Sequence, residues 1–119
     1  MVLLIDDEAT IRNIAAQTLQ NYGYKVITAV DGAQAVALCA QHLAELQLIV
    51  TDMDMPLMDG LTTVRAIRTL APQMKIIVAT GSGLQGGHNA FDEFAVGGFL
   101  RKPYNADDLL QIVHQVLSE

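Results

Sequence analysis

Residues 2–5, 25–29, 46–51 and 75–79 are runs rich in Val, Ile and Leu with no polar alternation, and this decides most of what the chain can become. A strand with one wet face alternates in polarity, whereas a strand covered on both faces reads as a continuous apolar run. A weaker run at 99–101 makes a fifth strand by context. The segments between the runs are of helix length. Ile11, Ile14, Ala15 and Leu19 share one face at three–four spacing. So do Leu61, Val64, Ile67 and Arg68, with Arg68 at the edge of the face, and Leu109, Leu110, Val113, Val116 and Leu117 near the end of the chain. Asp31 is placed to N-cap the second helix. Asn105 is placed to cap the last, with Asp108 at the capping-box position.

Strand and helix therefore alternate five times. Such alternation predicts an α/β fold, a parallel sheet with helices on both faces, because right-handed crossovers cover the sheet as they connect it. For five strands the expected order is 2-1-3-4-5, and ligands bind past the carboxyl ends of the strands where that order reverses, between strands one and three. A chain of 119 residues makes one domain, 1–119, and 51% hydrophobic residues are enough for its core.

Composition removes several function classes. The net charge of -6 repels nucleic acid, and no basic run offers a local exception. The apolar runs are far too short to cross a bilayer. Met1 leads straight into one of them without a basic leader, so no signal peptide is expected and a cytoplasmic location follows by default. Cys39 is the single cysteine, which excludes an internal disulfide and a CxxC metal site.

The strand ends carry the chemistry. Asp6, Asp7 and Glu8 follow the first strand, Asp52 and Asp54 the third, Thr80 the fourth, and Lys102 and Pro103 the fifth. Carboxylates gathered in one crevice raise one another's pKa or recruit a cation. An all-oxygen donor set suits Mg²⁺ or Ca²⁺ and not zinc. Mg²⁺ needs only one or two carboxylates, which leaves an aspartate free to act as a nucleophile and form an acyl phosphate. Thr80 can offer a hydroxyl and Lys102 a point charge to phosphoryl oxygens. Each residue has a blander use. Asp7 alone reads best as an N-cap, Asp52 as a turn acid, Thr80 as a turn residue before Gly81, and Lys102 as a solvated surface charge. Their coincidence at matching strand ends favours the functional reading.

These residues have a familiar arrangement. Asp6-Asp7-Glu8, the segment Asp52-Met53-Asp54-Met55-Pro56-Leu57-Met58-Asp59-Gly60, Thr80, and Phe99-Leu100-Arg101-Lys102-Pro103 resemble the motifs of two-component response regulator receiver domains, over essentially the whole chain. The resemblance implies a flavodoxin-like fold and phosphorelay signalling, with Asp52 accepting phosphate from a histidine on a sensor histidine kinase or histidine phosphotransfer domain. It implies Mg²⁺ held by Asp7, Asp52 and the carbonyl of Asp54, with Asp6 acting through water. It implies phosphoryl oxygens bound by Thr80 and Lys102, and a switch in which Thr80 moves inward and the Phe99 ring follows, reshaping the fourth helix, fifth strand and fifth helix. Any enzymatic step is then self-catalysed phosphorylation and dephosphorylation. A weak homodimer is compatible with this reading. The glycine-rich segment 81–87 resembles receivers joined to hybrid sensor kinases, and a stand-alone receiver and a piece of a longer protein both stay open. Departures from the family pattern are the Asp54 carboxylate, the glycines of 81–87, and Ala95-Val96 where Gly-Ala is usual.

Three rival readings are weaker. Asp52-Met53-Asp54 resembles the DxD pair of haloacid-dehalogenase-type phosphatases, but those place it after the first strand. A pseudo-receiver would lack the acceptor or the lysine, and a flavodoxin would need aromatic residues around a flavin. Cys39 is expected to pack, and His42, His88 and His114 fall on separate elements without metal-ligand spacing. The glycines predict a mobile 81–87 loop and a short helix at 88–95; proline permits a cis Lys102-Pro103 bond, and the family resemblance implies one.

Overall fold

A computed structural model of the chain describes residues 1–53, 60–81 and 96–119. Five strands, β1 (Val2–Ile5), β2 (Val26–Ala29), β3 (Leu48–Asp52), β4 (Lys75–Thr80) and β5 (Gly98–Arg101), form one parallel sheet in the order β2-β1-β3-β4-β5. The helices described are α1 (Ala9–Asn21), α2 (Gly32–Gln41), α3 (Gly60–Leu70) and the C-terminal α4 (Ala106–Leu117). Strand order and fold class match the sequence expectation. Asp54, most of the 81–87 loop and the helix expected at 88–95 lie outside the described residues.

The unbroken apolar runs arise because alternate residues feed two cores. Val2, Leu4, Val50, Ile77 and Leu100 face α1 and α4, meeting Ala15, Leu19, Leu109, Val113 and Val116. Leu3, Ile5, Ile49, Ile76 and Val78 face the other way, onto Ala35, Cys39, Val64 and Ile67 of α2 and α3. Cys39 is a fully buried packing residue, as expected.

The caps read from the sequence are present. The Asp31 side chain accepts the Gln34 N–H at 2.8 Å, and the Gln34 side chain reaches back to the Val30 N–H at 2.7 Å. Asn105 and Asp108 form the reciprocal capping box of α4. Other local readings need correction. Ile14 is 63% exposed and not part of the core face, because the sheet is covered by Ala15 and Leu19 while Ile14 borders a groove beside the strand ends. Arg68 is not simply an edge residue: its guanidinium closes the turn after α3, donating to the carbonyls of Ala71, Pro72 and Met74.

The register sets up the site. Ile5 lies beside Thr51, Asp52 beside Ala79, and Thr80 beside Arg101. Asp6, Asp52, Thr80 and Lys102 therefore emerge side by side at one edge of the sheet. Asp52 and Thr80 are the last residues of their strands and not the first of the loops, since the ladder continues through the Met53 N–H to the Ala79 carbonyl and the Lys102 N–H to the Thr80 carbonyl.

Candidate functional site

Asp6, Asp7 and Asp52 each bring a carboxylate oxygen within 4.8 Å of the others. Asp6 and Asp52 are buried and Asp7 is exposed, so the cluster is rooted in the sheet and opens to solvent on one side. The Lys102 ammonium lies 2.9 Å from Asp52 Oδ1 and 4.0 Å from Asp6 Oδ2. It reaches the cluster from β5 across β4, and the Lys102-Pro103 bond that follows is cis, as expected.

The bland reading of Asp7 as an N-cap is not what the chain adopts. Glu8 is the N-cap residue of α1 and makes no side-chain cap bond. The turn is held by Asp6, whose Oδ1 accepts the Glu8 N–H at 2.9 Å, and by Arg12, whose guanidinium donates to the Asp6 carbonyl at 2.9 Å. The local backbone is thus tied through Asp6, and the Asp7 side chain stands in the acidic cluster.

Electrostatics follow from this geometry. Burial raises the Asp6 carboxyl above its ordinary value, the bond from the Glu8 N–H opposes that, and the neighbouring Asp52 charge raises it again. Three carboxylates facing one ammonium leave a formal excess of two negative charges, which a divalent cation would balance. The oxygen-only donor set fits a hard cation.

Thr80 is 1% exposed, and its hydroxyl has no hydrogen-bond partner among the described residues. A buried hydroxyl without a partner is costly, and its place beside the Asp52 strand end makes it available to an incoming acceptor oxygen. Phe99 lies opposite Val78, two residues from Thr80 and on the same face of the sheet, and packs against the second core. Asp54 lies outside the described residues.

The family model for the response regulator receiver domain matches residues 2–114. The chain belongs to the response regulator receiver family. The receiver is 32% identical to the chemotaxis protein CheY of Bacillus subtilis, over 98% of this chain and 97% of that protein. It is also 32% identical to the sensor kinase CckA of Brucella abortus, over 99% of this chain but only 12% of the kinase. The transcription factor SKN7 of Chaetomium thermophilum matches at 31% identity over 98% of this chain and 15% of that protein. Among solved structures, the chemotaxis protein CheY4 of Vibrio cholerae superposes with a TM-score of 0.91 at 32% identity, covering 97% of this chain and 96% of that one. A receiver domain from Clostridium thermocellum gives 0.91 at 28% identity, with 98% and 93% covered. No helix among the described residues is long and apolar enough to cross a membrane.

Sequence reasoning missed two residues of the site. Arg12 was hidden because its guanidinium acts on a backbone carbonyl, which no side-chain pattern reveals. Tyr104 lines the same cavity as Asp7, Asp52 and Lys102. Its place directly after Lys102-Pro103 was the available signal.

Proposed function

We propose that this receiver takes a phosphoryl group onto Asp52 from a histidine of a sensor histidine kinase or histidine phosphotransfer domain, in a Mg²⁺-dependent reaction. The observation that carries the reading is the buried Asp52 carboxylate, held 2.9 Å from the Lys102 ammonium and grouped with Asp6 and Asp7. Asp52 attacks phosphorus through a carboxylate oxygen, forming an acyl phosphate. Lys102 moves its charge from the free carboxylate to a phosphoryl oxygen, and the Thr80 hydroxyl donates to another. Asp6, Asp7 and Asp52 would hold Mg²⁺, with Asp54 contributing from the following loop. Mg²⁺ supplies charge neutralisation on the transferring group when bound.

In this reading the output is a shift between pre-existing states. Thr80 turns toward the phosphoryl oxygen, and the Phe99 ring, diagonal to it on β5, follows into the vacated space. Phenylalanine has no hydroxyl to hold an outward position, so the inward ring is well populated before phosphorylation. Residues 1–119 act as one receiver unit.

The test is incubation with Mg²⁺ and acetyl phosphate, followed by intact-mass measurement. A single phosphoryl group should add to the wild type and none to Asp52→Asn. Equal labelling of the two proteins would overturn the assignment.

A further inference from the structure

A cavity of about 640 Å³ runs from Asp52 and Lys102 out between α1 and the start of α4. Its inner end is charged and its outer walls are apolar: Ile11 and Ile14 on α1, Tyr104 and Leu109 on the other side. The Tyr104 ring is half-buried and packs against the first core, so it forms a wall of the cavity. Its hydroxyl end is near enough to the chemistry to feel both Asp6 and Asp52. Burial first, then those two charges, push the phenol up to about 12. It stays neutral at physiological pH and adds no further negative charge to an acidic site.

We propose that Tyr104 is a specificity-determining residue for the phosphodonor, its ring forming the wall against which a flat aromatic leaving group, the imidazole of a phosphohistidine, is held in line with Asp52. The inference rests on Asp52 being the acceptor. In the step itself, the P–N bond to the imidazole breaks as the P–O bond to an Asp52 carboxylate oxygen forms. The P–N electron pair stays on the ring nitrogen, and the ring leaves as neutral imidazole because its other nitrogen already carries a proton. The aromatic wall acts on this leaving group and not on the phosphoryl oxygens, which are the concern of Lys102 and Thr80. A donor whose leaving group is ammonia has nothing to place against it.

The experiment compares phosphorylation rates with phosphoimidazole and with phosphoramidate, both with Mg²⁺, in the wild type, Tyr104→Phe and Tyr104→Leu. An aromatic contact of ordinary strength predicts that the rate ratio, phosphoimidazole over phosphoramidate, falls about 2- to 10-fold in Tyr104→Leu. Tyr104→Phe keeps the ring and should keep the ratio. Tyr104→Met serves as the truncation should the leucine variant fail to fold. A ratio that stays at the wild-type value in the truncated variant, with both donors slowed equally or neither slowed, overturns the proposal while leaving Asp52 as acceptor. Failure of the wild type to take phosphoryl from either donor overturns the acceptor reading and this inference together.

Discussion

Lys75 and Lys102 stand at opposite ends of the same sheet, one opening β4 and the other following β5. Both are tied by their ammonium groups. Lys75 donates to the Leu117 carbonyl oxygen at 3.5 Å and to a main-chain oxygen of Glu119, just beyond α4, at 2.7 Å, and so closes that end of the helix. Lys102 donates to a carboxylate that is itself buried, within reach of a second one. The residue type is the same, and what differs is the charge it meets. Oxygens at an exposed helix end stay in water and gain only modestly from a cation. A cluster of three carboxylates, two of them buried, carries more charge than one ammonium can satisfy. The first arrangement is complete as it stands, and the second is built to receive something more.

Removing the acceptor gives the largest expected effect and tests whether the Lys102 end is the reactive one. Asp52→Asn should abolish labelling by a small phosphodonor, and chelation of Mg²⁺ should do the same to the wild type. Next is the lysine itself. Lys102→Ala should slow phosphorylation by roughly 10²-fold, the usual cost of losing one donor to developing negative charge. Lys75→Ala should leave that rate at its wild-type value. Similar losses in both variants, measured by labelling time courses, would erase the contrast between the two ends.

Asp6 sharpens the comparison through pH. Its carboxyl is raised above the ordinary value of 3.8, by burial first and then, against the Glu8 N–H bond, by Asp52. The folded chain therefore holds this proton to higher pH than the unfolded chain does. Its contribution to stability is full below the ordinary carboxylate value and is lost as pH rises through the raised folded value. At neutral pH, without a cation, ionised Asp6 weighs against the fold. Asp6→Asn should raise the metal-free melting temperature at pH 7 and lessen its fall from acid toward neutral pH. It should also reduce the stabilisation that added Mg²⁺ gives. Thermal melts with and without Mg²⁺ across that range check the sign. A lower melting temperature for metal-free Asp6→Asn at pH 7 would show that the Glu8 turn, and not the charge, governs this residue.

Strand order, both cores and two helix caps could be read before any coordinates because each rests on a local pattern. Unbroken apolar runs imply burial on both faces, and Asn105 with Asp108 closes a cap within one turn. The acidic cluster could also be anticipated, since a parallel sheet places every carboxyl end together and Asp6, Asp52 and Lys102 already marked three of them. What escaped depended on distances between elements or on backbone acceptors. Ile14 fits the helical stripe of α1, yet the core ends short of it and leaves it on the rim of the cavity. Arg68 matches an amphipathic edge, while its real work is on carbonyls of the turn beyond its own helix.

The smallest effect belongs to Lys75. Its ammonium is partly solvated, and its acceptors are the carbonyl of Leu117, the last residue of α4, and a main-chain oxygen of Glu119 just beyond it. A cation at a helix C-terminus contributes typically about 0.3–1 kcal/mol at a surface site. Lys75→Ala should therefore lower unfolding stability by about that much, with Lys75→Arg recovering part of it through the retained charge. Salt distinguishes this tether from the Lys102 pair. The Lys75 contribution should shrink as ionic strength rises, because exposed charges are screened, whereas the buried Lys102 contact is screened far less. Denaturant melts of the wild type and Lys75→Ala at low and high salt give the measurement. A destabilisation several times larger, or one that salt does not reduce, would mean that Lys75 supports the packing of α4 on β4 and not only the charge at its end. The two ends of the sheet would then differ less than their acceptors suggest.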